Sequence, residues 1–93
     1  MCDANTAVLI IQNYAYDIFA GSQREVQRRS YQQWAVTELC NRIFDNPLKD
    51  PIDVIWDFIM EMHSFADYKY PDPPYLIFNV AATFAEEVLL LFV

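Results

Sequence analysis

The residues of this 93-residue chain best suited to chemistry are carboxylates that recur at every fourth position. Asp53, Asp57 and Glu61 lie in the segment DPIDVIWDFIMEMHSFADY, and this spacing places them on one face of a helix. Such carboxylates can bind a metal ion or act as general acid and base. A di-metal helical bundle needs a histidine three residues after a glutamate, whereas His63 follows Glu61 by two. We therefore predict a solvated acidic face with no metal and no cofactor.

The sequence lacks the motifs of nucleophilic and nucleotide chemistry. It contains one histidine and one glycine, so it has no second histidine for a catalytic relay and no glycine-rich loop for a phosphate. Ser22 is accounted for by the capping box Ser22-Gln23-Arg24-Glu25, whose side chains satisfy open amide groups at the start of a helix. We therefore predict that the protein has no catalytic residues and is not an enzyme.

Cys2 and Cys40 indicate the cellular compartment. The two cysteines stand far apart, without the short spacing that would suggest a metal site. The first residues, MCDANTAVLII, have no positively charged region ahead of a long apolar run, so they do not resemble an export signal. We therefore expect a cytoplasmic setting in which both thiols are free.

The negative charge of the protein is concentrated in its second half. The formal net charge is -7, and residues 46–93 carry two lysines against eight acidic residues. A field of this sign repels nucleic acids and anionic membranes and attracts basic partners. We therefore expect a basic protein partner, and we do not expect direct binding to nucleic acid or to a membrane.

The spacing of apolar residues predicts an all-α fold. Hydrophobic residues make up 55% of the chain and glycine occurs once, which favours a few long helices over hairpins. Gly21 ends the first helix, and Asp50 and Pro51 begin the third. We predict one domain over residues 1–93, a small four-helix bundle or an irregular orthogonal helical array, with helices at about 5–20, 23–44, 51–68 and 75–92. The run AVLII in the first segment is also compatible with a short buried strand.

The C-terminal helix is predicted to lie at the centre of this fold. Its sequence, YLIFNVAATFAEEVLLLFV, is about as long as a membrane span, but Glu86 and Glu87 would be costly in hydrocarbon. Ala81, Ala82 and Ala85 are small enough to let a neighbouring helix approach closely. We therefore predict a central helix that does not enter a membrane.

The same periodicity predicts which side chains form the core. On the third helix the apolar stripe consists of Ile52, Ile55, Ile59, Met62 and Ala66. On the second helix it consists of Val36, Cys40, Ile43 and Phe44.

Two large apolar residues of the third helix fall within its acidic face. Trp56 and Met60 project beside the carboxylates and away from the apolar stripe. Either a neighbouring helix covers them, or they form an aromatic anchor with a polar rim, as partner-binding surfaces often do. We predict a non-enzymatic interaction module whose acidic helix face binds a basic or mixed protein partner. The predicted partner-binding residues are Asp53, Trp56, Asp57, Met60 and Glu61.

Two alternative functions involve nucleic acids. Carboxylates along a helix can imitate phosphates, so the protein is alternatively a nucleic-acid-mimicking inhibitor of a nuclease or regulator. That function requires the acids of the third helix to merge with Asp72, Glu86 and Glu87 into one continuous track. The other alternative is a small helix-turn-helix-like DNA-binding regulator. It requires Arg24, Arg28 and Arg42 of the second helix to be exposed.

Self-association is a further expectation from composition. The predicted helices carry more apolar surface than a chain of 93 residues comfortably buries. Homo-oligomers hide such surface against a second copy of the same chain. We therefore expect that the protein forms a homodimer or a larger homo-oligomer.

Overall fold

The computed structural model describes residues 2–21, 26–66 and 76–93 of the chain. These residues form four α-helices and no strand: α1 (Ala4–Gly21), α2 (Val26–Asp45), α3 (Pro51–Ser64) and α4 (Leu76–Leu89). The predicted all-α class is confirmed, and the alternative of a strand at AVLII is wrong because that run lies within α1. The predicted capping box at 22–25 lies outside the described residues.

The start of each of two helices is determined by an aspartate. Asp50 accepts a hydrogen bond from the Ile52 N–H at 3.0 Å, and Pro51 follows it as the first helical residue. Asp3 accepts a hydrogen bond from the Thr6 N–H at 2.8 Å. This backbone hydrogen bond lowers the pKa of Asp3, so its carboxylate is charged at neutral pH. The negative charge interacts favourably with the positive end of the α1 helix dipole. The cap at Asp3 was not predicted, although aspartate before an apolar helical run is its usual signal.

The ends of α3 and α4 are irregular, and the predicted end of the third helix at about residue 68 lies outside the described residues. After α3, residues 65 and 66 continue as one wider helical turn. The Phe65 N–H caps the end of α3 by donating to the carbonyls of Glu61 and Met62. After α4 the chain tightens, since the Leu91 N–H donates to the Val88 carbonyl and the Phe92 N–H to the Leu89 carbonyl. The last helix is therefore shorter than the predicted 75–92.

The core of α3 is broader than its predicted stripe. Ile55, Ile59, Met62 and Ala66 are buried as expected, Ile52 is partly buried, and Val54 and Phe58 are buried in addition. The reason is that α3 packs against both α4 and α2, so more than one narrow face is covered. On α2, the prediction for Phe44 is wrong. Its side chain is 49% exposed, because Leu39 and Ile43 occupy the core positions.

Helix α4 touches each of the other three helices. It packs along α3 and α2, and its Phe84 ring lies 6.0 Å from the ring of Tyr14 on α1. Ala81, Ala82 and Ala85 are fully buried, which allows the close approach predicted for these small residues. Helix α1 packs mainly on α2. Of the helices described, none is both long enough and apolar enough to cross a membrane.

Candidate partner-binding groove

Trp56 and Met60 are on the surface of the protein. Their side chains are 50% and 67% exposed, so the alternative that a neighbouring helix covers them is wrong for the described part of the chain. Asp53 and Asp57 of the same helix are exposed beside them. The periodicity of α3 therefore places four of the five predicted partner-binding residues on one accessible face.

These apolar residues form one wall of a groove between α3 and α4. The groove has a volume of about 670 Å³, which is in the range of binding clefts. Trp56, Ile59, Met60 and His63 line it from α3. The opposite wall comes from α4 and the turn after it: Thr83, Glu86, Glu87, Leu89 and Leu90. We refer to this site as the α3/α4 groove.

The wall formed by α4 was missed in the sequence. Leu90 is 71% exposed, although its segment is predicted to be the central helix of the bundle. A signal for it was present, because the run Val88 to Phe92 is apolar at every position and exceeds the single face that a packed helix can bury. Together with Trp56 and Met60, Leu90 gives the groove a continuous exposed apolar patch, which is more informative than a single exposed residue.

His63 crosses the groove to Glu86. Its Nε2 lies 2.5 Å from Glu86 Oε1, and both side chains are about half exposed. The contact to Glu86 joins α3 to α4 at the groove and positions one carboxylate at its edge.

Glu87 is held in place from α1. The Tyr14 hydroxyl donates a hydrogen bond to Glu87 Oε2 at 2.5 Å. Burial of the hydroxyl raises the pKa of Tyr14 to about 12, and the hydrogen bond and charge of Glu87 act in the same direction. The phenol is therefore protonated at neutral pH and remains a donor to the Glu87 carboxyl group.

Glu61 has a structural role that the other predicted residues lack. Both of its carboxylate oxygens accept hydrogen bonds from the Arg42 guanidinium of α2, one pair being Nη2 and Oε1 at 3.1 Å. The hydrogen bonds to Glu61 raise the pKa of Arg42 above its ordinary value. The Arg42 guanidinium carbon also lies 5.0 Å from the centre of the buried Phe58 ring. Glu61 therefore joins α3 to α2, in addition to bordering the acidic face.

Asp57 differs from Glu61 in exposure. It pairs with Lys49, which precedes α3, and the Asp57 side chain is 64% exposed. Exposed ion pairs of this kind contribute little to stability because water screens them. Asp57 is therefore available to a partner at a small cost in intramolecular contacts.

Reversing the charge of Glu61 is expected to destabilise the fold, whereas reversing that of Asp57 is not. Glu61→Lys removes the hydrogen bonds to Arg42 and brings two cations together, so we expect the free energy of unfolding to fall by about 2 kcal/mol. Asp57→Lys is the matched control on the same helix, and we expect a change below about 0.5 kcal/mol. Urea unfolding measures both values. Equal losses for the two variants would contradict a structural role specific to Glu61.

The described residues contain no cluster of metal-binding side chains, and the Cys40 thiol is not activated. Among them, no group of three or more histidine, cysteine, aspartate or glutamate side chains could hold a metal ion. Cys2 and Cys40 are free thiols. Burial raises the pKa of Cys40 to about 11, so this thiol is protonated at neutral pH and is a poor nucleophile.

Comparisons of the chain with protein-family models, with curated proteins and with solved structures find no match. The interpretation of the α3/α4 groove therefore depends on its geometry and its charge.

Proposed function

We propose that the protein is a non-enzymatic, cytoplasmic interaction module whose α3/α4 groove binds a basic amphipathic helix of a partner protein. The observation that carries this proposal is the exposure of Trp56, Met60 and Leu90 along a groove bordered by carboxylates. An amphipathic helix binds such a groove by inserting apolar side chains spaced i, i+3, i+4 and i+7. Its opposite face stays in water.

The apolar side chains of the groove would supply most of the binding energy for a bound helix and so slow its dissociation. Trp56 and Met60 come from one helix and Leu90 from the turn after another, so a bound helix would contact both walls. Burying a large apolar side chain contributes about 1.5–3 kcal/mol. Tryptophan near the centre of an interface is typical of the few residues that carry most of the binding energy.

The charges around the groove favour a basic partner. Asp53 and Asp57 are exposed on one side, and Glu86 and Glu87 line the other. Neither α3 nor α4 contains a lysine or an arginine in its sequence. Lysine or arginine side chains on a partner helix would therefore meet Glu86 and Glu87 on the α4 wall, while Asp53 and Asp57 lie outside the groove on the exposed face of α3. Acidic residues on both helices accelerate association with a basic partner and select against acidic ones.

The alternative of a nucleic-acid mimic has weaker support. A mimic needs an unbroken track of carboxylates, whereas the groove beside Glu86 and Glu87 is lined on its α3 side by Trp56, Ile59, Met60 and His63. Glu61 is engaged by Arg42, and Asp72 lies outside the described residues. Large apolar side chains between the acids fit a protein surface better than a phosphate groove.

The alternative of a DNA-binding regulator is also weaker. It requires Arg24, Arg28 and Arg42 to be exposed, but Arg42 is partly buried and engaged by Glu61. The side chains of Arg24 and Arg28 lie outside the described residues. An arginine that is already paired with a carboxylate is a poor contact for a phosphate.

Two further observations support the proposal, one for binding over catalysis and one for a cytoplasmic location. The Cys40 thiol and the Tyr14 phenol are both protonated at neutral pH, so neither is poised as a nucleophile or base. Free thiols are typical of proteins in a reducing compartment.

A designed peptide pair tests the proposal. The first probe is a fluorescein-labelled helix of leucine and lysine, about 18 residues long, with leucine at i, i+3, i+4 and i+7. The second has the same composition in a scrambled order without an apolar face. Fluorescence anisotropy should give a dissociation constant at least about tenfold lower for the amphipathic probe, with affinity falling as salt rises.

Three outcomes of the peptide experiment separate the proposals. A clear preference for the amphipathic probe supports the groove as a helix-binding site. Equal binding of both probes means that charge alone governs recognition, which favours the nucleic-acid mimic. No binding of either probe up to about 1 mM, a free energy of about -4 kcal/mol, would overturn a helix-binding function.

A further inference from the structure

A second groove lies between α1 and α2. It has a volume of about 380 Å³, and Cys40 is buried at its base. Tyr16 and Phe19 border it from α1, and Phe44 borders it from α2. We refer to this groove, together with the residues exposed beside it, as the α1/α2 face. The groove is formed by a different pair of helices from the α3/α4 groove, and the two grooves share no lining residue.

The α1/α2 face is uncharged in an otherwise acidic protein. None of the described side chains that line the groove is charged at neutral pH, although the protein has a net charge of -7. The 18 residues of α1 include a single charged residue, Asp17. A helix on the surface of a protein normally presents charged residues to water. The lack of them predicts that this face is covered.

Large apolar residues are exposed on this face. Tyr16 is 76% exposed, and Leu9 and Phe44 are also exposed. Leu9 and Tyr16 are seven residues apart, with Gln12 between them on the same stripe of α1. Exposed apolar residues that form a stripe beside a groove mark an interaction surface more strongly than residues scattered singly.

We propose that the α1/α2 face binds a second copy of this chain in a twofold symmetric dimer. A twofold interface uses the same patch on both subunits, so that patch must be complementary to itself. It therefore needs both a projecting side chain and a recess that accepts the same side chain of the other subunit. The α1/α2 face has both, since the Tyr16 and Phe44 rings project beside the groove that would receive their counterparts.

The polar groups of the face are also compatible with self-pairing. Gln12, Gln33 and Asn41 line the groove, and each side-chain amide both donates and accepts hydrogen bonds. A surface of amides can therefore pair with its own copy, whereas a surface of carboxylates repels it. Arg29 lies in a smaller neighbouring hollow with Phe19 and Gln33, and its charge is opposite in sign to that of an approaching acidic copy.

The acidic residues on the α4 wall of the α3/α4 groove argue against that groove as the dimer interface. Two copies meeting there would bring Glu86 and Glu87 close to their counterparts without a lysine or arginine on α3 or α4. Dimerisation through the α1/α2 face instead leaves the α3/α4 groove of each subunit accessible. The dimer would then present two such grooves.

Sedimentation velocity of the full-length protein tests the dimer. Between about 1 µM and about 1 mM protein, we expect the mass to rise to twice the 10.9 kDa of the chain. Tyr16→Glu should weaken dimerisation by about 100-fold, because the substituted residue enters a twofold interface twice and each copy adds a repelling charge. Met60→Glu is the matched control on the other groove and should leave the dimer intact.

The outcomes distinguish this proposal from the peptide-binding function. Peptide affinity should be unchanged in Tyr16→Glu, and its circular dichroism should match the unsubstituted protein because Tyr16 is exposed. A monomer at every concentration would overturn the dimer, as would a dimer that survives Tyr16→Glu. Loss of the dimer in Met60→Glu with retention in Tyr16→Glu would assign the interface to the α3/α4 groove and overturn the proposal.

Discussion

Replacing Phe58 by alanine is expected to lower the free energy of unfolding by about 3–5 kcal/mol. The Phe58 side chain is fully buried, and the Arg42 guanidinium lies over its ring. Alanine would leave a cavity in the protein core on the buried side of α3. It would also remove the aromatic ring under Arg42, which pairs with Glu61. Small domains have a total stability of about 5–15 kcal/mol. The variant is therefore expected to lose a large part of its folding free energy.

Urea unfolding monitored by circular dichroism measures this loss. Met60→Ala is the matched control, because Met60 lies two residues further along α3 and is 67% exposed. Its free energy of unfolding should change by less than about 1 kcal/mol. Similar values for the two variants would mean that the buried and exposed faces of α3 are not those described.

Replacing Trp56 by alanine is expected to weaken binding of the amphipathic leucine-lysine helix by about 30-fold or more, while the protein stays folded. Trp56 is half exposed at the wall of the α3/α4 groove, so its indole is free to be buried by a ligand. Truncation of a central aromatic residue costs about 2 kcal/mol or more in interfaces. We expect the free energy of unfolding to fall by about 1–2 kcal/mol, since half of the Trp56 surface is buried by folding.

The fluorescence of Trp56 provides an independent measurement of the same prediction. Trp34 is the other tryptophan of the chain, and it packs against Phe78 with ring centres 6.2 Å apart. Trp34→Phe therefore leaves Trp56 as the single reporter while keeping an aromatic ring at position 34. Addition of the amphipathic helix should then shift the Trp56 emission to shorter wavelength. Binding without any shift, or binding unaffected by Trp56→Ala, would place the ligand elsewhere on the protein.

The local features of the fold were predictable because they depend on residues close together in the chain. Asp50 followed by Pro51 predicts the start of α3, and the structure places that start at Pro51. The period of about 3.6 residues predicts that Ile55 and Met62 are buried. The same period separates Trp56 from the core stripe, but it does not state whether another helix covers it.

The predictions that failed involve packing between helices. The apolar pattern of α2 predicts Phe44 in the core, yet its side chain is half exposed at the border of the groove between α1 and α2, because Leu39 and Ile43 occupy the core positions. Phe58 was left out of the predicted stripe, yet it is buried because α2 and α4 both contact α3. The width of a covered face depends on how many helices surround it, and the periodicity of one helix carries no such information.

The sequence by itself determined the helical class, the cap of α3 and the acidic face with Trp56 and Met60 in it. Each follows from interactions within a few residues or from the geometry of one helix. Only the tertiary structure decided that Glu61 binds Arg42, that His63 meets Glu86 and that Tyr14 holds Glu87, residues separated by 19, 23 and 73 positions. Such pairs depend on the angles and offsets at which helices cross. Many side chains together set those angles, so the α3/α4 groove became visible only when the helices were packed.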